Sequence, residues 1–249
     1  MIGERKFVLL MTGRSGSVWV MSTLNSLRDV TAHDALFLCR ERSSEKRWDS
    51  DFACPRFIET KPEGLRVRPF SVFSYLNALY KRPGIVGFKL NYAQLGKFPE
   101  ILAYLIWHRI RVVHLVRRNH LDVAISWAVK AKIGRAHLLV GQAASDDMRV
   151  ELDTKNLIRR LEWMGKRQMI ARKLLSWCRL PHLEVAYEDL LRDRSHFRRI
   201  VDFLSIKLEG DLPESTVVKI RRDGHRDVIS NYFEVKEVLT DSRFAGLLE

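Results

Sequence analysis

Four short apolar runs recur along the chain, at residues 7–11, 85–90, 112–116 and 183–187. They are rich in Val, Leu, Ile and Phe and show no regular alternation with polar residues. Strands that are buried on both faces of a parallel sheet have this pattern. The runs therefore predict four strands of one parallel sheet.

Helical periodicity fills the intervals between these runs. Apolar positions recur at spacings of three and four residues, which place them on one face of a helix. The predicted stripes are Val20, Leu24 and Leu27; Ala124, Trp127, Ala128 and Ala131; and Leu157, Leu161, Met164, Gln168, Ala171, Leu175 and Cys178. Because strands alternate with helices, we predict an α/β fold in which helices flank a central, mainly parallel sheet.

No repeat, low-complexity tract or linker divides the chain, so we predict a single domain over residues 1–249. Residues 29–82 and 134–149 fit the pattern of strands and helices poorly. Long irregular segments in a compact domain usually form lids or binding surfaces. We therefore expect both segments to be insertions that bind a substrate.

The charge and the cysteines narrow the choice of partner and compartment. The chain carries 43 Lys and Arg against 30 Asp and Glu, a net charge of +13. An anionic partner is therefore expected, and nucleic acid, a phosphorylated nucleotide and an acidic glycan all fit. The three cysteines are odd in number and lack zinc-site spacing, which favours a reducing, cytoplasmic location and no structural metal. The apolar runs are too short for a transmembrane segment, and no secretory signal is expected.

A candidate anion-binding loop follows the first predicted strand and reads Thr-Gly-Arg-Ser-Gly-Ser-Val-Trp over residues 12–19. Glycines let the backbone turn so that several N–H groups face one concavity, and a helix that begins near Ser17 adds the positive end of its dipole. Arginine and hydroxyl side chains supply further donors to phosphate-like oxygens. The candidate ligands of the anion are Gly13, Arg14, Ser15, Gly16 and Ser17. The alternative is an ordinary strand-to-helix turn with a serine cap.

This loop lacks the signatures of the common nucleotide-binding loops. A nucleoside-triphosphate loop requires G-x-x-x-x-G-K-[ST], whereas these glycines are three residues apart and no lysine follows. The G-x-G-x-x-G pattern of dinucleotide enzymes is missing as well. A nucleotide kinase with a divergent loop therefore stays an alternative only.

A second candidate anion site follows the third predicted strand, where residues 117–127 read Arg-Arg-Asn-His-Leu-Asp-Val-Ala-Ile-Ser-Trp. If a helix begins near Asn119, Arg118 stands at the carboxyl end of the strand and Ser126 lies about two turns along the helix. Arg118 and Ser126 are then candidates to bind one phosphate, and the alternative is that Arg118 pairs with Asp122. Since ligands of open α/β sheets lie outside the carboxyl ends of the strands, the two sites together predict a ligand with two separated anionic groups.

The two motifs, Thr-Gly-Arg-Ser-Gly-Ser with a following Trp and Arg-Arg-Asn-x-Leu-Asp-Val-Ala-x-Ser, resemble the nucleotide-binding motifs of sulfotransferases. Those enzymes use 3′-phosphoadenosine 5′-phosphosulfate (PAPS) and release 3′,5′-ADP. The Gly-Phe-Lys-Leu at 87–90, with Gln-Leu at 94–95, is similar to bacterial carbohydrate sulfotransferases of the trehalose and nodulation-factor type. The resemblance covers residues 5–130 well and continues weakly through 187–190 and 229–232. It implies a P-loop-like sulfotransferase fold and transfer to a hydroxyl or amine of a small-molecule or carbohydrate acceptor.

The resemblance also implies roles for individual residues at the donor site. The loop at 13–17 would hold the 5′-phosphosulfate, and Arg118 with Ser126 would hold the 3′-phosphate. Arg14 occupies the place of a catalytic Lys or Arg in the family, and no metal is required. Trp19 matches a tryptophan that stacks on adenine, with packing in the core as the equal alternative.

Two further features of the donor site are weaker. Val18 departs from the hydroxyl residue that cytosolic members carry at its position, which removes one expected hydrogen bond. The basic run with Arg221, Arg222 and Gly224 would close over the 3′-phosphate, as a similar segment does in cytosolic members. A solvated, charged helix end is the alternative for that run.

The catalytic base is less well defined by the resemblance. Lys89, at the end of the second predicted strand, would add positive charge near the reaction centre, unless it is simply solvated. A hydroxyl acceptor needs a base within hydrogen-bond reach, but Asn91 stands where cytosolic members have His and Ala35 where carbohydrate-type members have Glu. The candidate bases, in order of preference, are Asp34, His33 and Glu41. An amine or guanidine acceptor would need less help.

The aromatic residues of the first irregular segment suit sugar rings, planar metabolites or simply a core. They are Trp48, Phe52, Phe57, Phe70, Phe73 and Tyr75. A different class of function, a non-enzymatic nucleic-acid binder, would use the net charge and the six tryptophans. No nucleic-acid-binding module is recognisable in the sequence, so we expect no nucleic-acid partner.

Overall fold

A computed structural model describes residues 5–38, 54–60, 68–133, 138–139, 149–208, 210–211, 217–218 and 224–248. The strands are β1 (Lys6–Met11), β2 (Val30–His33), β3 (Ile85–Asn91), β4 (Arg111–Val116), β5 (Leu138–Leu139), β6 (His182–Ala186) and β7 (Val217–Val218). The helices are α1 (Ser17–Asn25), α2 (Phe57–Thr60), α3 (Phe70–Tyr80), α4 (Tyr92–Lys97), α5 (Glu100–Trp107), α6 (His120–Ile133), α7 (Thr154–Trp177), α8 (Tyr187–Arg192), α9 (Ser195–Phe203), α10 (His225–Val228) and α11 (Tyr232–Thr240), and a 3₁₀ turn follows at Ala245–Leu248. Across these ranges, none of the helices combines the length and the apolar character that crossing a bilayer demands.

Five parallel strands form one sheet in the order β2-β3-β1-β4-β6, and β5 pairs with β7 in a separate antiparallel ribbon. Met11 lies opposite Asn91 on one side and Leu115 on the other, and Val116 lies opposite Ala186. The carboxyl ends of the strands therefore meet at one edge of the sheet. The prediction of an α/β fold with a parallel sheet flanked by helices is confirmed.

The central strand β1 is buried on both faces, which explains its unbroken apolar run. Val8 and Leu10 pack against α3 and α5 on one face of the sheet. Phe7 and Leu9 pack with α1 and α9 on the other face. All four predicted strands exist, with bounds that differ by about one residue from those that the apolar runs predict.

Two parts of the chain differ from the sequence-based expectation. The segment 29–82 contains β2 and α3, which its pattern did not predict. β2 is four residues long and pairs with β3 at the edge of the sheet, so its apolar signal is short. Tyr187 was predicted to end the fourth strand but begins α8, because Glu188 and Asp189 follow it and acidic side chains favour the first turn of a helix.

The helix α7 has the predicted stripe, and every member of that stripe is buried except Cys178, which is partly buried. The predicted stripe of α6 is only partly buried, since Ala124 is buried and Ala131 is exposed. The helix packs into the core through Leu121, Ile125 and Val129, whereas Trp127 is 41% exposed. The short side chains around Trp127 face a cleft instead.

A buried polar chain connects α4 to the surface through β4 and β6. The Tyr92 hydroxyl lies 2.6 Å from Nε2 of His114, and Nδ1 of His114 lies 3.0 Å from the Glu184 carboxylate. Arg172 donates two hydrogen bonds to the same carboxylate. Burial lowers the pKa of His114 to about 4, and Glu184 offsets this only in part. The ring is therefore neutral in the folded protein, with Nδ1–H as donor and Nε2 as acceptor.

This neutral histidine predicts acid sensitivity. The unfolded chain binds a proton at His114 below about pH 6.5, but the folded chain does not until about pH 4, so stability falls as the pH is lowered through this window. The loss is at most about 1.4 kcal/mol for each pH unit. We expect urea unfolding of His114→Gln to lose part of the slope that the unmodified protein shows between pH 6.5 and 5. The partly exposed His196→Gln serves as control, and equal slopes for the two variants would contradict the assignment.

Candidate functional site

The loop after β1 has the backbone shape of an anion-binding nest. Arg14 has φ 68° and Gly16 has φ 80°, so two left-handed residues alternate with their neighbours ahead of α1. Ser15, which is fully buried, donates from Oγ to the Thr12 carbonyl at 2.9 Å. Successive N–H groups in such a turn point into one concavity, and α1 begins at Ser17 as predicted. The loop therefore presents backbone donors at the carboxyl end of the central strand.

Two aromatic rings hold this loop from opposite sides. A Cβ on Gly16 would overlap the ring of Tyr187, at the start of α8. A Cβ on Gly13 would lie 2.6 Å from Cζ2 of Trp127, on α6. Both glycines are therefore required by close approach, and Gly16 also by its positive φ.

The two sequence motifs touch each other. Nε of Arg14 donates to Oγ of Ser126 at 2.7 Å, although the residues are 112 positions apart. Nη1 of Arg117 donates to the Arg14 carbonyl at 3.0 Å, and Nη2 donates to Asp122 at 2.7 Å. The Arg117 guanidinium also lies 5.0 Å from the centroid of the Tyr187 ring. The loops after β1 and β4 thus form one cluster.

Arg118 points to a neighbouring strand end. Its guanidinium donates to both oxygens of Asp189, at 2.6 and 2.7 Å, and its side chain is 62% exposed. This bond raises the pKa of Arg118 and lowers the pKa of Asp189. The backbone N–H groups of Arg118 and Asn119 both donate to Glu188. The structure therefore brings Ser126 to Arg14, and it brings Arg118 to Asp189 instead of to Ser126.

Asp34, the first choice of base, lies with Lys89, which was predicted to add positive charge, near the carboxyl ends of β2 and β3. Lys89 and Asp34 form an ion pair in which both side chains are at least nine-tenths buried. His33, which directly precedes Asp34 in the sequence, is fully buried. The alternative that Lys89 is a solvated strand end does not hold, because its carboxylate partner is buried with it.

Some of the remaining predicted residues are described by the structure, and others lie outside the described ranges. Trp19 is partly buried and packs edge-on against Phe197 at 5.8 Å between ring centroids, as a core residue does. Gly224 precedes α10, where His225 lies 3.0 Å from Asp122 at the start of α6. Outside the described residues lie the predicted residues Arg221, Arg222, Glu41, Trp48 and Phe52 and most of the predicted insertion at 134–149.

The aromatic residues of segment 29–82 that the structure describes belong mostly to the core. Phe57 and Tyr75 are buried, and their rings stack or pack edge-on with Phe37. Phe73 is partly buried against the same cluster. Phe70 is largely exposed.

A cleft of about 880 Å³ opens beside the anion-binding loop, next to Thr12 and Gly13. Thr12 and Gly13 form one end of it, Asn91 and Ala93 lie beside them, and α6, α7 and residues 151–153 form the walls. The sequence did not reveal this cleft, because helical periodicity places the apolar residues of α6 and α7 on one face without showing whether that face packs in the core or lines a cavity. Sequence reasoning also missed Arg117 and gave Tyr187 no role, since the contacts of both with the loop are long-range.

The described part of the chain contains no cluster of three His, Cys, Asp or Glu side chains that is placed to hold a metal ion. No family model and no curated protein matches the sequence. Thirty solved chains match by structure. One is a crystal structure of a sulfotransferase from Alicyclobacillus acidocaldarius, with 12% identity, a TM-score of 0.47, and coverage of 97% of this chain and 91% of that chain. A TM-score and an identity this low carry no function from that protein to this chain.

The packing of Tyr187 against the loop predicts that alanine substitution changes the stability differently at Gly16 and at Gly96. Gly16→Ala should destabilise the fold by about 2 kcal/mol or more, because it adds a Cβ at positive φ and against a buried ring. Gly96→Ala places its Cβ in open space within α4 and should be neutral or stabilising by up to about 1 kcal/mol. Urea unfolding measures both. A Gly16→Ala variant as stable as Gly96→Ala would show that the ring does not constrain the loop.

Proposed function

We propose that this chain is a sulfotransferase that moves the sulfuryl group of PAPS to a hydroxyl or amine of a small-molecule or carbohydrate acceptor. The single observation that supports it best is the 2.7 Å hydrogen bond from Arg14 to Ser126. This bond joins two motifs that lie far apart in the sequence, and each of them resembles a sulfotransferase motif on its own. After β1 the chain continues to β2 at one end of the sheet, and after β4 it continues to β6 at the other end. The motifs follow these two neighbouring strands, and ligands of open α/β sheets usually bind at such a change of direction.

The residues present fit such a donor. The loop supplies backbone N–H groups and a guanidinium at one end of the site, and Arg118 supplies a second guanidinium near the neighbouring strand end. Arg118 would have to leave Asp189 to bind a phosphate. The pair can open, because the Arg118 side chain is 62% exposed and water solvates the guanidinium when it leaves Asp189.

PAPS, when bound, supplies a sulfuryl group whose transfer breaks the S–O bond to 3′,5′-ADP and forms a bond to the acceptor, which loses a proton. As in phosphoryl transfer, catalysis is then mainly positioning and electrostatic stabilisation of charge. Arg14 and the N–H groups of its loop are the groups that stabilise negative charge. Ser126 orients the Arg14 side chain by accepting a hydrogen bond from its Nε, and Arg117 orients the Arg14 backbone by donating to the Arg14 carbonyl.

The proton of a hydroxyl acceptor needs a base, and Asp34 is our first choice, with His33 second. The ion pair with Lys89 fixes Asp34 at the carboxyl edge of the sheet. Asn91 lines the cleft itself but cannot accept a proton at its amide. We also propose a cytoplasmic location, because the three cysteines are odd in number and do not suggest a disulfide framework.

The donor is tested by binding of 3′,5′-ADP, measured by calorimetry and by thermal shift. We expect 3′,5′-ADP to bind and to stabilise the protein, and Arg118→Ala to weaken binding about tenfold or more by removing a charged donor. Arg198→Ala is the matched control, because its side chain is 59% exposed and also lies near a carboxylate. It should leave the affinity unchanged.

Two other ligands decide between this function and its alternatives. ATP with Mg²⁺ tests a nucleotide kinase, and a short oligonucleotide tests a nucleic-acid-binding protein. Stabilisation by either of these ligands without stabilisation by 3′,5′-ADP would overturn the proposal. Equal affinities of Arg118→Ala and Arg198→Ala for 3′,5′-ADP would remove Arg118 from the site.

A further inference from the structure

We infer that the cleft between α6 and α7 binds the acceptor, and that this acceptor carries an acidic group beside a flat ring. The inference rests on the proposed function, because it assigns the second substrate of the same site. The position of the cleft, the shape of its walls and its charge each support it.

The cleft begins at the anion-binding loop. Thr12 and Gly13 line its inner end, and Arg14, the next residue, donates to Ser126. Ser126 directly precedes Trp127, which lines the cleft from α6. A molecule in the cleft therefore lies next to the residues proposed to hold the sulfuryl group, as an acceptor must.

The wall from α6 is shaped to admit a ring. Ala124, Ala128 and Ala131 recur at i, i+4 and i+7, so they lie on one face of the helix. Their short side chains leave space above that face. Trp127 stands among them as the one large side chain of this stripe, and 41% of it is exposed. Nζ of Lys130 lies 5.5 Å from the centroid of this indole, and the exposed part of the ring offers a flat apolar surface that a sugar or an aromatic ring can cover.

The wall from α7 combines a second indole with cationic side chains. Arg160, Trp163, Met164 and Arg167 recur at i, i+3, i+4 and i+7 and line the cleft. Trp163 is 54% exposed, and the Arg167 guanidinium lies 4.4 Å from its ring centroid. This stacking holds one guanidinium in place before a ligand arrives.

The charge of this wall is balanced only in part, since Asp153 interacts electrostatically with Arg160. Over the ranges that the structure describes, no carboxylate lies within ion-pair distance of Arg160 or Arg167, whereas Arg172 on the same helix binds Glu184 through two hydrogen bonds. The cleft also contains Glu151 and an exposed aspartate, Asp153, whose pKa is lowered mainly by Asn156.

Those two carboxylates face three arginines, since Arg159 also lines the cleft. An adjoining hollow adds Lys132 and Arg149 at its rim. The Arg167 guanidinium is held by Trp163, and an arginine presented in this way can bind carboxylate or sulfate oxygens through parallel hydrogen bonds. The class of ligand that fits both walls is therefore an acidic ring compound, either a uronic-acid sugar or a hydroxylated aromatic acid.

Matched pairs of probes test this inference by calorimetry in the presence of 3′,5′-ADP. Methyl β-D-glucuronide is compared with methyl β-D-glucoside, and 4-hydroxybenzoate with 4-hydroxybenzamide. Within each pair only the acidic group changes. We expect at least one acid to bind about tenfold or more tightly than its neutral partner, and the pair with the larger difference identifies the sugar or the aromatic source.

Variants locate the effect. Arg160→Gln and Arg167→Gln should each remove most of the preference for the acid and leave binding of the neutral partner within twofold. Lys166→Gln, an exposed change on α7 outside the cleft, should leave the preference intact. Equal binding of acids and neutral partners, failure of both acids to bind, or a preference that survives in both arginine variants would overturn the inference.

Failure of the proposed function has a different signature. In that case 3′,5′-ADP does not bind and no labelled sulfate moves from PAPS to any probe, yet the cleft still prefers acids in the absence of nucleotide. If the function holds and the inference fails, 3′,5′-ADP binds with its dependence on Arg118 while the acid preference is missing.

Discussion

The hydrogen bond between Arg14 and Ser126 is the interaction on which the candidate site depends. It forms because β1 and β4 are parallel neighbours in register, so that the loops that follow them leave the sheet at the same edge. The positive φ of Arg14 turns the loop toward α6, and Arg117 fixes the Arg14 carbonyl from the other side. Two segments that are remote in sequence thereby become one cationic cluster.

The same loop separates two environments. On one side it packs on Tyr187 and faces the strand ends that carry Arg118 and Asp189. On the other side Gly13 meets Trp127, and the loop closes the inner end of the cleft between α6 and α7. A group-transfer enzyme needs this division, because its donor and acceptor must approach one point from different directions. The loop is thin enough to serve both sides because its two glycines carry no side chain.

Sequence reasoning found the parts of the fold that have a strong local signal. The four buried strands and the start of α1 at Ser17 follow from apolar runs and from turn chemistry. The strand β2 did not, because a four-residue edge strand carries little pattern of its own. Tyr187 was assigned to a strand because an apolar run does not show where a helix takes over.

The candidate site was predictable to a similar degree. The two motifs could be read from residue types, but the partners of their side chains could not, since those depend on packing between distant elements. Arg117 and Arg118 are adjacent, and only the structure separates them: one binds Asp122 and the Arg14 carbonyl, and the other binds Asp189. The stripe of α6 around Trp127 has the spacing of a core face, and only tertiary packing shows that it lines a cleft.

A crystal structure of the protein with 3′,5′-ADP is the most direct measurement of the central claim. The account predicts one nucleotide that spans both motifs, with its 5′-phosphate on the N–H groups of residues 13–17 and its 3′-phosphate within reach of Arg118. A nucleotide bound elsewhere, or one that contacts a single motif and leaves the other in its present arrangement, would contradict it.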